Sequence, residues 1–181
     1  LEKKAPYLQE WQRELLRIVR KVAQYFYPQR QTRLVSEGCA TFWHYQIMHR
    51  LYEKGLVDDG FMLEFYESHT GVTAQVGYDH PYYNQMGINV YSLGFSMFMD
   101  IKRICMEPTE EDKEYFPNFA GNGDWVSTVK YAMENFRDES FILQYLSPKV
   151  IRDYRMFAIF DDADESEIVI SDIHNKKGYE N

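Results

Sequence analysis

Between Tyr7 and Phe26 large apolar residues return at every third or fourth position: Trp11, Leu15, Ile18, Val19, Val22 and Phe26. Arg13, Arg17, Arg20 and Lys21 lie between them. A 3.6-residue period of this kind predicts an amphipathic helix, and Pro28 is expected to stop it. A second helix is predicted from about Thr32 to Lys54, with Gly55 just past its end where a left-handed residue is favoured. Its centre, Ala40 to Tyr45, is large and weakly charged all round and must be buried on most sides. Asp58 should cap a third helix through Glu67. Gly71, Gly77, Pro81, Asn84 and Gly87 then punctuate a long irregular connection. Asn89 caps a strongly apolar helix from Val90 to Met106, expected to be central. Thr109 to Asp112 opens the next, with Asp112 where a capping box normally has Glu or Gln. Asp124 caps a helix to about Phe136, Asp138 or Ser140 opens one over Phe141 to Leu146, and Ser147-Pro148 is an N-cap with proline at N1.

After residue 153 the pattern changes. Arg155 to Phe160 and Glu167 to Ser171 read as two short strands flanking the acidic turn Asp161 to Glu165. Two strands alone are marginal in water, so they need further cover. The expected class is α+β: a predominantly α-helical domain over residues 1–153, followed by a short β-hairpin that begins a small α/β element over 154–181.

Composition narrows the function classes. The chain is 45% hydrophobic and 17% aromatic, enough for a true core, which excludes intrinsic disorder. Its net charge of −8 repels phosphate backbones and anionic lipid, which argues against nucleic-acid binding. Cys39 and Cys105 sit singly in apolar helical patterns and read as buried thiols in a reducing compartment. No signal peptide is visible and no apolar run approaches the ~20 residues of a membrane span, so the expected location is cytoplasmic. The chain starts at Leu1 rather than methionine and ends at Asn181, just after a helix-start signal. It is expected to belong to a longer polypeptide, so its partners include the rest of its own chain.

Candidate chemistry centres on Glu37 and His44. Seven residues make two helical turns, which returns both side chains to one face, with Thr41 between them. A carboxylate and an imidazole displayed together suit a divalent transition metal such as zinc, although zinc sites use three or four protein ligands. Glu37-Gly38-x-Ala40 is also similar to the turn that supplies the downstream glutamate ligand in several zinc peptidases. The alternative reading is structural: Glu37 satisfies backbone or an arginine, and His44 is a hydrogen-bonded core histidine. His69, at the expected end of the third helix, could aim into a cleft or cap the helix. His80 fits a turn, and His49 and His174 fit the surface. Asp138-Glu139 reads as local capping, and the acidic turn lacks EF-hand spacing. With no HExxH, GxSxG, Walker loop or GxGxxG, neither nucleophilic nor nucleotide chemistry has support.

Longer stretches are more specific: Glu14 to Val22 running into Gln24 to Gln29, then Glu37-Gly38 and Ala40 to Tyr45, Ser68-His69-Thr70, Gly87-Ile88-Asn89, Pro108 to Asp112, Asp138 to Ile142 and Ser147 to Asp153. Together these resemble the SpoVR family, named for stage V sporulation protein R, over essentially the whole chain. The resemblance implies a middle-to-C-terminal fragment of a longer protein. It also implies a link to spore cortex formation or, since the family extends to bacteria that make no spores, to stress response. The family's biochemical activity is not established. Its members share a histidine-containing segment upstream of this stretch, which would complete a metal site at Glu37, His44 and His69. The chain departs from the family pattern at Cys39, at Val90 and across Gly71 to Gln85. Two functions are therefore expected to compete, an interaction or regulatory protein and a metal-dependent hydrolase with a zincin-like site.

Overall fold

The computed structural model describes residues 3–77, 80–160 and 169–173. Helix α1 (Glu10–Arg30) carries the first apolar stripe and continues through Pro28. Proline removes one hydrogen bond to the preceding turn, and so close to the helix end little depends on that bond. Helix α2 (Arg33–Glu53) ends where expected, and Gly55 follows with φ of 68°. Helix α3 (Asp59–Thr73) is capped by Asp58, whose carboxylate accepts from Phe61 N at 2.8 Å, but it runs six residues past the expected end. Gly71 is tolerated inside it, and His69 therefore lies within the helix. The short helix α4 (Tyr83–Met86) interrupts the connection to α5 (Val90–Met106), which Asn89 caps at Tyr91 N.

Helices α2 and α5 form the central pair. They cross at Gly38 and Gly94, where a Cβ on Gly38 would meet the Gly94 Cα at 2.5 Å. A Cβ on Gly94 would meet the Leu34 carbonyl oxygen at 2.6 Å, so glycine at both positions lets the two backbones touch. Helices α6 (Glu110–Tyr115), α7 (Trp125–Asn135), α8 (Asp138–Tyr145) and α9 (Pro148–Asp153) follow. The core they close with α2 and α5 includes Phe42, Met97, Phe98, Ile101, Val129, Phe141 and Val150, all essentially without solvent contact. A smaller cluster, Met48, Met62 and Phe65, joins α2 to α3.

Polar contacts fix the edges. Asp112 forms the Thr109 capping box and also accepts two bonds from Arg103 of α5, at 2.6 and 2.9 Å. Burial raises the Asp112 pKa, but Arg103 and the Thr109 donors outweigh it and hold the carboxyl at about 2. Asp138 behaves differently from its expected role as a local cap. Its two carboxylate oxygens accept from Leu34 N and Val35 N at 3.0 Å each, capping α2 from about a hundred residues away.

The expected α+β class is corrected to an all-helical fold. Among the residues whose burial is described, those of the core lie on the helices or the turns between and just after them. Strands β1 (Phe157–Phe160) and β2 (Val169–Ile173) pair only with each other, antiparallel, and no α/β element forms among the described residues. The physical reason is that a strand pattern specifies only a local conformation, and two strands do not by themselves make a layered α/β element. The acidic turn and His174 fall outside the described residues. Among the described residues, no helix is long and apolar enough to cross a membrane.

Candidate functional site

On α2 the residues Tyr45 and His49 are four apart, and on α3 Phe65 and His69 are four apart. Each pair occupies one helix face. The two faces meet, and Phe95 of α5 closes the third side. His69 sits at the centre, 7% exposed, with its ring 4.9 Å from Phe95, 5.2 Å from Phe65 and 5.4 Å from Tyr45 between centroids. Its Nε2 is buried with no hydrogen-bond partner among the described residues. Burial, followed by the nearby charges of His44 and His49, lowers its pKa below the usual 6.5, so the ring is neutral near pH 7.

His44 is exposed at the rim, edge-on to Phe65, with its ring centroid 6.4 Å from that of His69. A metal held by two imidazoles at the tetrahedral angle places ring centroids about 5 Å apart, so the two rings are neighbours but stand farther apart than a shared metal requires. His49, which the sequence reading leaves on the surface, stacks on Tyr45 at 4.1 Å, and its Nε2 shares a 3.1 Å hydrogen bond with the Tyr66 hydroxyl. The site thus holds three histidines.

Glu37 lies two turns before His44, about 10 Å along the helix axis. It lines a separate cavity of about 420 Å³ with Phe26, Arg30, Arg33 and Ser36. Its backbone carbonyl accepts from Thr41 Oγ1 at 2.7 Å, and its carboxylate has no ion pair among the described residues. The structure therefore brings His44 and His69 together and leaves Glu37 apart on the same helix. Among the described residues, no three His, Cys, Asp or Glu side chains converge into a metal site by themselves. His80 is exposed and accepts from Tyr82 N through Nδ1, a local turn contact. Cys39 and Cys105 are buried free thiols whose pKa values burial pushes up, so neither is poised as a nucleophile.

Tyr45 and His49 also form one end of a groove of about 770 Å³ between α2, α5 and α7. Trp43 and Trp125 lie side by side in it, centroids 5.6 Å apart. Lys102 places its ammonium 4.8 Å over the Trp125 ring and donates to Gln46 Oε1 at 2.6 Å. Residue-type motifs point to neither the groove nor His49. The i, i+4 pairs Tyr45/His49 and Phe65/His69 were the available signal.

Residues 1–181 match the family described as SpoVR like protein. An uncharacterized protein of Escherichia coli strain K12, YcgB, is 59% identical over 179 residues, which is 99% of this chain and 34% of that protein. The chain thus spans about a third of the relative's length. No solved structure matches. On a family match that runs from the first residue to the last, the chain belongs to the SpoVR family.

Proposed function

We propose that His44 and His69 are this chain's share of a transition-metal site, with zinc the best-suited metal, in a metal-dependent hydrolase. The observation that carries the reading is the orphaned His69 Nε2. A buried nitrogen without a partner costs about 1–3 kcal/mol, and a folded protein tolerates that cost more readily where a ligand repays it. The lowered pKa keeps the ring in the neutral form that ligates metal. The aromatic walls Tyr45, Phe65 and Phe95 exclude water around it, and His44 can rotate towards it from the rim. Glu37, two turns away and lining a separate cavity, is not one of these ligands. The remaining ligands come from polypeptide beyond these residues, since the chain corresponds to only 34% of the Escherichia coli relative. Zinc bound there would acidify a coordinated water and polarise a carbonyl group.

The test is the zinc content of full-length protein purified without chelators. About one equivalent is expected, lost in His69→Ala and strongly reduced in His44→Ala, with both variants folded by circular dichroism. A metal-free wild type that takes up no zinc on titration overturns the reading.

For cellular context we propose a cytoplasmic role in stress response, with spore cortex formation in spore-forming members, on family membership alone. The partner we propose for α1 is the rest of the same polypeptide. None of its residues is buried, although Trp11, Leu15, Ile18, Val19 and Val22 form a continuous apolar stripe.

A further inference from the structure

The groove between α2, α5 and α7 has the size of a small-molecule site, within the range of about 300–1,000 Å³ typical of such pockets. Its walls are mainly apolar, and two of its polar groups, Lys102 and Gln46, lie together. Lys102 is half-buried, and among the described residues it has no carboxylate partner. Its ammonium rests on the Trp125 face and on the neutral Gln46 Oε1. The neighbouring charges do not serve it, because Glu53 pairs with Arg50 at 3.0 Å. Gln46 has a spare donor as well: its Nε2 faces only the thioether of Met99, at 3.3 Å, a weak acceptor. An uncompensated cation and an amide N–H therefore lie side by side, beside the paired indoles of Trp43 and Trp125, whose planes are inclined at 37°.

We propose that this groove binds an organic carboxylate with a planar apolar body. The carboxylate takes one bond from Lys102 Nζ and one from Gln46 Nε2, and the planar body lies along the two indoles. A single uncompensated positive charge matches a monoanion, whereas a phosphate dianion would leave charge unmatched. The chain as a whole carries −8, so its long-range field does not favour anions, and selection must come from these two short contacts. The inference is independent of any metal at the histidines.

Isothermal titration of the full-length protein with 2-naphthoate, with EDTA present so that the outcome is separate from the metal test, decides the matter. Saturable binding at one site per chain is expected, with the uncharged 2-naphthalenemethanol at least about tenfold weaker, as loss of a charge-assisted bond implies. Lys102→Met should weaken naphthoate to the level of the alcohol and leave the alcohol unchanged, while Lys102→Arg should retain naphthoate binding within a few-fold. Should Lys102→Met fail to fold, the wild-type comparison of the two ligands and the Lys102→Arg variant still discriminate. Equal binding of both ligands, indifference to Lys102→Met, or no saturable binding would each overturn the proposal.

Discussion

His69 shows how a single side chain acquires its chemistry from its neighbours. In the sequence it stands two residues before Gly71 and reads as a group at the end of a helix, aimed into a cleft or capping the helix. The structure instead extends α3 to Thr73 and turns the ring into an aromatic box, because Phe65 four residues earlier already faces α2. The i, i+4 geometry was legible, but the depth of burial was not, since it depends on Tyr45 and Phe95 from two other helices. Burial first, then the charges of His44 and His49, keep the folded ring's pKa below 6.5. In the unfolded chain the ring takes up a proton as pH falls through 6.5, while the folded ring remains neutral. The unfolded state therefore binds more protons, and stability falls with pH until the folded value is passed. The ionisable groups facing His69 are His44, His49 and Tyr45. His69→Phe fills the same aromatic space without a titrating group. With EDTA present, its melting temperature relative to wild type is expected to rise as pH is lowered from about 8 to about 5.5. A pH-independent difference would show that His69 does not carry this linkage.

Local chemistry fixed the helix starts at the element scale. Asp58, Asn89, Thr109 with Asp112, Asp124 and Ser147 all cap the helices that the sequence assigns to them. A cap needs only its own next three residues, so it can be read from the chain. Asp138 could not be read in this way, because the N–H groups it satisfies belong to Leu34 and Val35. The strand pattern after residue 153 misled for the same reason: it describes a local conformation, whereas the fold class depends on what packs against it. Glycines divide similarly. Gly38 and Gly94 are ordinary helix residues in sequence, yet their backbones touch and set the α2–α5 crossing that holds both His44 and the Lys102 groove in place. Gly94→Ala is expected to destabilise by about 1–3 kcal/mol, since backbone atoms must move apart to admit the methyl group. Gly71→Ala, in a helix with nothing within 4 Å of the added carbon, should instead be neutral or stabilising by up to about 1 kcal/mol. Chemical denaturation of both variants checks the pair, and similar values for the two would contradict the close crossing.

Across the whole molecule, α1 is the element whose sequence promises more than this chain delivers. Its stripe has the spacing of a helix that buries one face, and the opposite side carries Arg13, Arg17, Arg20, Lys21 and Arg30 against Glu10 and Glu14, a basic segment in an acidic chain. The pattern was fully legible as an amphipathic helix. What the stripe packs on was not, because periodicity defines a face without naming its occupant. Yet Val19 is 63% exposed and Trp11 59%, and no residue of α1 is buried. Exposed apolar area of this extent on one face marks an interface, and the occupant proposed for it is the rest of the same polypeptide. Val22→Asp separates the possibilities. In the 181-residue chain alone, stability should change by less than about 0.5 kcal/mol, as for a solvated surface position. In the full-length protein the same substitution should cost about 2–4 kcal/mol, combining lost apolar burial with a desolvated carboxylate. Equal effects in the two proteins would mean that the rest of the polypeptide does not cover α1.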